Sequence, residues 1–379
     1  MKKKNLAIIT THPIQYQTPL FKKLSSSKIS VDVFFASKQN LSSKKKDLEF
    51  NVNFNWDVEL LKGYNYFFST NQTKEINDWR LSFNNLEKYL KRKKYDAVLI
   101  FGWNKLLYWK SFYLAKKMCI PIILRVETNF YSKINLIKKR LKIFILKILF
   151  RYINFFLYIG KFNKEFYQSL EVPKQKLFPG LYFVDNNFFF KKKNNTLKKQ
   201  LNIQNKKICL FAAKFIDRKN PLEFIKLAIL LKNYKDIHFL MVGNGILMKQ
   251  CKNFIQNSDT KNITLLGFKN QKELRDIYHI SDLLVLTSRY ETWGLVINEA
   301  LASNIPVIAS NKCGGAIDLI KNNINGFIYK ENNILDLKNK VLKILKNKNN
   351  IKKTNIQNII SSYSIDKTIN SINKILNKK

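Results

Sequence analysis

Tyr290-Glu291-Thr292-Trp293-Gly294-Leu295-Val296-Ile297-Asn298-Glu299-Ala300 lies between two short apolar runs, Asp282-Leu283-Leu284-Val285-Leu286-Thr287-Ser288 before it and Ile305-Pro306-Val307-Ile308-Ala309-Ser310 after it. Apolar runs of about four to eight residues have the length of strands buried on both faces. The segment therefore reads as strand, turn, helix, strand. In such a unit the loop after the first strand opens at the carboxyl edge of a parallel sheet, where open α/β folds bind their ligands. Glu291 is predicted in that loop and Glu299 on the second turn of the helix. Two acids so placed face different parts of an elongated ligand rather than one metal ion.

Working outward, the same pattern recurs along the chain. Residues 6–10, 31–36, 97–101, 121–124 and 155–159 form one array of strand-length apolar runs, and 208–213, 237–242, 263–266, 283–287 and 306–309 form a second. Helical segments separate the runs, which predicts an α/β protein with two Rossmann-like domains. Boundaries are set at 1–190, 191–360 and 361–379, with a polar, lysine- and asparagine-rich stretch at 186–204 read as the hinge.

Three further segments follow predicted strands. Phe211-Ala212-Ala213-Lys214-Phe215-Ile216-Asp217-Arg218-Lys219-Asn220-Pro221 leads from the first strand of the second array into a helix, and Val242-Gly243-Asn244-Gly245 ends the next strand in a glycine-rich turn. Thr11-His12-Pro13-Ile14-Gln15-Tyr16-Gln17-Thr18-Pro19 follows the opening strand of the chain. His238 and His279 sit inside predicted elements and read as structural.

Together these segments resemble the family 4 retaining glycosyltransferases (glycosyltransferase group 1) of the GT-B fold, whose E-x7-E pattern Glu291 and Glu299 match. The resemblance implies two Rossmann-like domains facing each other across a cleft, with the final helix crossing back to the first domain. It assigns Glu291 to the donor sugar and Glu299 to the ribose of the nucleotide. Physical chemistry accommodates both, since a carboxylate accepts hydrogen bonds from vicinal hydroxyls and the N–H groups at a helix start, here Trp293, Gly294 and Leu295, favour a diphosphate. The competing reading makes Glu291 a helix cap and Glu299 a solvated side chain.

Lys214 and Lys219 match the family's two phosphate-neutralising cations, although Ala213-Lys214 stands where a Gly-Arg pair is common and lysine lacks the bidentate fork of arginine. Arg218 is an additional cation, and Gly243 matches a turn near the nucleotide. On the first domain His12, Gln15 and Tyr16 are expected on the acceptor side. The family's active-site histidine after the fourth strand is missing from Arg125-Val126-Glu127-Thr128-Asn129. Glu127 is nominated in its place, with Arg125 as an acceptor-side contact; a structural Arg125–Glu127 pair is the alternative.

Composition bounds the rest. A chain of 379 residues with 46% hydrophobic residues supports two cores, and its net charge is +42. That charge accompanies many asparagines, isoleucines and phenylalanines, as codon bias in an AT-rich genome would give, or it serves an anionic surface. Residues 134–152, Ile-Asn-Leu-Ile-Lys-Lys-Arg-Leu-Lys-Ile-Phe-Ile-Leu-Lys-Ile-Leu-Phe-Arg-Tyr, interleave Lys138, Lys139, Arg140, Lys142, Lys147 and Arg151 with bulky apolar side chains. This is the make-up of an interfacial helix on an anionic membrane, or of a core helix with a basic outer face. No nucleic-acid motif is present. Cys119, Cys209, Cys251 and Cys313 show no ligand or disulfide spacing and read as reduced interior residues. A strand directly after Met1-Lys2-Lys3-Lys4 reads as a cytoplasmic protein without a secretory leader.

The expectation is a retaining glycosyltransferase that moves a sugar from a nucleotide-diphosphate donor to a hydroxyl of a glycan or lipid-linked acceptor, in cell-surface polysaccharide or lipopolysaccharide synthesis. It uses no metal and no cofactor, the nucleotide-sugar being substrate. Two alternatives stay open from sequence: a sugar-nucleotide epimerase or hydrolase of the same fold, and a non-catalytic basic protein that binds membrane or nucleic acid.

Overall fold

The computed structural model describes residues 3–39, 41, 59–70, 75–128, 136–191, 196–346 and 351–378. Asn129, residues 134–135, the lysine run at 44–46 and Lys192 and Lys193 lie outside them. The chain divides into two compact units, the first from Met1–Lys45, Val58–Tyr182 and Ile365–Lys379, the second with Phe183–Ser364 as its body.

Seven parallel strands form the sheet of the first unit: β1 (Lys4–Thr10), β2 (Ile29–Phe35), β3 (Asn65–Phe68), β4 (Ala97–Ile100), β5 (Ile122–Leu124), β6 (Phe155–Tyr158) and β7 (Leu177–Pro179). Their order is β3-β2-β1-β4-β5-β6-β7. Leu6, Ala7, Ile8 and Ile9 are all fully buried, as a strand covered by helices on both faces requires. The C-terminal helix Ile365–Leu376 belongs to this unit and packs on helix Thr18–Ser25 and β7. Its Asp366 pairs with Lys23 at 2.7 Å.

The second unit repeats the plan with β8 (Lys207–Ala212), β9 (Ile237–Val242), β10 (Ile263–Gly267), β11 (Leu283–Leu286), β12 (Val307–Ser310) and β13 (Gly326–Tyr329), in the order β10-β9-β8-β11-β12-β13. In each sheet the succession of strands reverses beside the first one, between β1 and β4 and between β8 and β11. Loops leaving the carboxyl ends of such a pair diverge and leave a crevice, the topological switch point of doubly wound sheets.

Four details differ from the sequence reading. Strands β3, β7 and β13 were not among its ten runs. The units divide at Tyr182/Phe183 and Ser364/Ile365, rather than at 190/191 and 360/361. Residues 186–204 are not a coreless linker, because helices Asn186–Phe190 and Leu197–Gln200 lie there and Phe189 is buried edge-on against Tyr278 at 6.0 Å. Cys119 is exposed, at a left-handed φ of 53°, while the other three cysteines are buried, so the interior assignment fails for this one thiol.

Candidate nucleotide-sugar site

The switch point of the second sheet is lined by the loop after β8 and the loop after β11. Leaving β8, the chain passes Lys214, makes a 3₁₀ turn at Asp217–Lys219 and turns left-handed at Asn220 (φ 50°) into helix Pro221–Leu230. Pro221 suits the first helical position because its missing N–H would have no helical partner there. The turn is tied down from the end of β11: Thr287 Oγ1 donates to the Asn220 carbonyl at 2.9 Å, and Asn220 Nδ2 donates to Glu223 Oε2 at 2.6 Å. Lys219 is thereby held on a braced backbone.

Gly243 explains how the neighbouring loop fits. Its φ is +136°, and a Cβ there would lie 1.9 Å from the carbonyl oxygen of Ala213. Only glycine lets the turn after β9 lie directly on the Lys214 loop, where Phe215 N–H donates to Asn244 O at 2.9 Å.

Glu291 lies in the loop after β11 and is buried. Its main chain is clamped to the loop after β12, accepting from Gly314 N–H at 3.1 Å and donating to Lys312 O at 3.0 Å. Its carboxylate accepts from Arg218 Nη1 at 2.8 Å and is paired with Lys219 Nζ. Arg218 also lies 5.6 Å from the Tyr290 ring centroid, so it is not the solvent-facing side chain that its position in a basic protein would suggest. Nor is Glu291 a helix cap: Gly294 at φ 95° is the N-cap of helix Leu295–Ala302 and no side chain caps it. One carboxylate facing two cations, with Lys214 in the same loop, leaves the crevice net positive.

Glu299 lies on the second turn of that helix, partly buried. Oε2 accepts from the Tyr278 hydroxyl at 2.8 Å. Burial pushes its carboxyl up to about 7, against the stabilising Tyr278 hydrogen bond. The indole of Trp293 is enclosed, donates from Nε1 to Asn298 Oδ1 at 2.7 Å and packs 6.0 Å from the Tyr363 ring. Its carbonyl accepts from Gly315 N–H at 2.8 Å. Trp293 thus shapes the loop by packing, and the helix that follows it starts at Leu295 without a side-chain cap.

In the first unit a second group gathers after β1, β4 and β5. Thr11 Oγ1 lies 2.9 Å from His12 Nδ1, and burial pushes the His12 imidazole down to about 4, which keeps it neutral. Tyr16 meets Tyr182 edge-on at 6.1 Å, and burial together with the Glu127 charge raises its hydroxyl. The Gln15 amide oxygen is buried without a hydrogen-bond donor among the described residues. Arg125 is deeply buried, donates from Nε to Gly180 O at 3.3 Å and lies 4.8 Å from the Tyr182 ring centroid. Glu127 is the leading charge that supports its protonated form against burial. Arg125 therefore sits near Glu127 and Tyr16 as a fixed positive charge, in the manner of the structural pair.

Sequence reasoning missed Tyr278, Asn220, Thr287 and Glu223. Asn220 and Glu223 had a local signal, an asparagine directly before a helix-opening proline with a glutamate three residues on. Tyr278 and Thr287 act across elements far apart in sequence and carried none.

Residues 193–376 match the family described as glycosyl transferases group 1. A glycosyltransferase of Methanocaldococcus jannaschii with no assigned activity is 31% identical over 171 residues, 44% of this chain and 46% of that protein. The UDP-Gal:α-D-GlcNAc-diphosphoundecaprenol α-1,3-galactosyltransferase of Escherichia coli is 33% identical over 162 residues, 41% of each chain. The match thus spans less than half the length of these relatives. Among solved structures, a Rickettsia africae glycosyltransferase superposes with a TM-score of 0.76 at 18% identity, covering 99% of this chain and 98% of that one. HepE of Anabaena in complex with UDP gives 0.76 at 15% identity, covering 98% and 99%. The fold is GT-B, two Rossmann-like units in one chain, and over residues 193–376, just under half of its length, the chain is similar to the group 1 glycosyl transferases.

Proposed function

We propose that this protein transfers a sugar from a nucleotide-diphosphate sugar to a hydroxyl of a glycan or lipid-linked acceptor, with retention at the anomeric carbon, in cell-surface polysaccharide or lipopolysaccharide synthesis. The observation that carries the reading is the buried Glu291 carboxylate between Arg218 and Lys219 at the switch point, with Glu299 on the helix that follows. The relatives support it, since the Escherichia coli enzyme takes UDP-Gal and a diphosphoundecaprenol acceptor and HepE binds UDP.

In this reading the bond from the anomeric carbon to the diphosphate oxygen breaks, and its electron pair goes to the leaving phosphate. Lys214, Lys219, Arg218 and the N–H groups near Gly294 and Leu295 stabilise that charge in a site where fixed donors need no reorganisation. The acceptor oxygen bonds the anomeric carbon from the same face, and its proton passes to the departing phosphate. Glu291 holds the sugar hydroxyls and orients the two cations; Glu299 accepts from the ribose. On the first unit His12, Gln15, Tyr16 and Glu127 contact the acceptor, with neutral His12 and the unpaired Gln15 oxygen suited to hydroxyls. No metal takes part. The protein works in the cytoplasm at the inner face of the membrane.

A thermal-shift panel of UDP-, GDP- and ADP-sugars, followed by incubation with donor alone, tests this. Stabilisation by one nucleotide series with little donor consumed until an acceptor is added is the expected result. Rapid conversion of donor alone to epimer or free sugar would overturn transfer, and no stabilisation by any nucleotide would overturn the site.

A further inference from the structure

Helix Leu136–Arg151 is apolar on two opposite sides. Its inner side, Leu146, Leu149 and Phe150, is buried in the core of the first unit. Its outer side is exposed yet just as apolar: Leu141 (58% exposed), Phe144 (63%), Ile145, Ile148 and, past the helix end, Tyr152. At about 100° per residue these five fall within one stripe. One face of the helix thus packs into the core, and a second, equally apolar, is left exposed.

The stripe continues onto helix Leu106–Lys117. Lys116 Nζ lies 5.8 Å from the Tyr152 ring centroid, which joins the ends of the two helices, and Trp109 and Tyr113, one turn apart, are 40% and 66% exposed. The charge that flanks it is predominantly positive, although Glu87 pairs with Lys117. Between residues 97 and 164 the chain has fourteen lysines and arginines and one acid, Glu127. Not all face out: Lys142 is turned over the Trp103 ring at 5.5 Å, and Lys147 is paired with Glu171. Lys138, Arg140 and Arg151 are exposed along the borders of the stripe.

We propose that this stripe inserts into the headgroup region of an anionic lipid bilayer, with Lys138, Arg140 and Arg151 on lipid phosphates and Leu141, Phe144 and Ile148 among the acyl chains. Charge complementarity selects this occupant. A second copy would bring like charges together, and nucleic acid would leave the apolar stripe without a partner. Aromatic side chains with a polar edge, here Trp109, Tyr113 and Tyr152, suit the boundary between water and hydrocarbon. The inference stands independently of the glycosyltransferase reading.

The test uses the full chain and vesicles of equal parts phosphatidylglycerol and phosphatidylcholine, with phosphatidylcholine alone as the control. The parent should sediment with the anionic vesicles, and Trp109 emission should be quenched by brominated acyl chains, a signal absent from Trp109→Phe. Leu141→Ser/Phe144→Ser/Ile148→Ser should lose vesicle binding by roughly tenfold or more even at low salt. Lys138→Gln/Arg140→Gln/Arg151→Gln should retain insertion at low salt and lose it at physiological salt. Each variant is first required to keep the parent's cooperative thermal unfolding; Phe144→Ser alone, the most exposed substitution, serves if the triple variant does not. Equal sedimentation of parent and apolar variant, or no sedimentation of the parent, would overturn the proposal. So would a lipid-free dimer of the parent that the apolar variant dissociates, since the stripe would then be an interface between copies.

Discussion

Arg218 Nη1 donates to Glu291 Oε1 at 2.8 Å, joining the loop after β8 to the loop after β11 across the switch point of the second sheet. In the proposed function the pair would link cation placement to sugar placement. Glu291→Gln keeps the size of the side chain and removes the charge that holds Arg218 and Lys219 together. Because Arg218 is partly solvated, the stability cost is discounted to about 1–2 kcal/mol from the larger figure for breaking fully buried pairs. Turnover should fall far more than stability. Urea unfolding and initial rates on one preparation check this, and parallel losses in both would mark Glu291 as structural.

Lys214 and Lys219 are expected to act on the leaving diphosphate. Replacing either by Ala should lower turnover by about 2 to 4 kcal/mol, the scale of one lost preorganised donor. Lys219→Ala should also disturb Glu291, whereas Lys214→Ala should not. A double variant with normal turnover would remove both from the reaction.

Much of the second unit was readable in sequence because its determinants are local. Strands buried on both faces announce themselves as apolar runs, and Glu291 and Glu299 stand at a spacing set by one turn and one helix. The strands left out are short edge pieces or carry weak signals: Asn65–Phe68 is half exposed, Leu177–Pro179 ends in proline, and Gly326–Tyr329 begins with glycine. Tyr278 with Glu299, and Asn220 with Thr287, are tertiary pairs that periodicity does not encode. Helix Leu136–Arg151 stayed between two readings for a related reason, since the sequence of a helix apolar on two sides does not say which side packs inward.

If Glu299 holds the ribose as proposed, nucleotide affinity should depend on pH. Its carboxyl is pushed up to about 7, and the ionised form is the better acceptor for ribose hydroxyls. Affinity should therefore rise as pH increases from about 6 to 8. Glu299→Gln should bind roughly tenfold more weakly at pH 8, from the loss of a charge-assisted hydrogen bond of about 1.5 to 3 kcal/mol, with a flatter profile. Calorimetry at both pH values decides; unchanged affinity in an intact fold would remove Glu299 from the ribose.

Transfer without a metal has its own check. With Lys214, Lys219 and Arg218 supplying the positive charge, turnover in excess EDTA should match turnover with added magnesium or manganese. A loss of more than about tenfold, restored by a divalent ion, would show that the cations of the chain do not suffice.

Glu223 links the braced loop to overall stability. Burial first, then the Glu331 charge, pushes its carboxyl from 4.5 to about 7, while Tyr329, Arg289 and Lys226 oppose the rise. The folded protein then holds a proton that the unfolded chain releases. The associated stability is fully present below about pH 4.5 and is lost as pH rises through 7, with an upper bound of roughly 3 kcal/mol. Glu299 contributes with the same sign. The parent should therefore be less stable at pH 8 than at pH 5, and Glu223→Gln should reduce the difference by a clear fraction. In the double variant Glu223→Gln/Glu299→Gln it should be smallest. Because the amide oxygen introduced by Glu223→Gln would still accept from Asn220, the loop should stay in place and turnover at pH 8 should change little. Urea midpoints at the two pH values, read with the slopes held equal, are the measurement. Identical differences in parent and Glu223→Gln would mean that Glu223 ionises near its ordinary value in the folded protein, and the pH dependence of stability would then rest on Glu299.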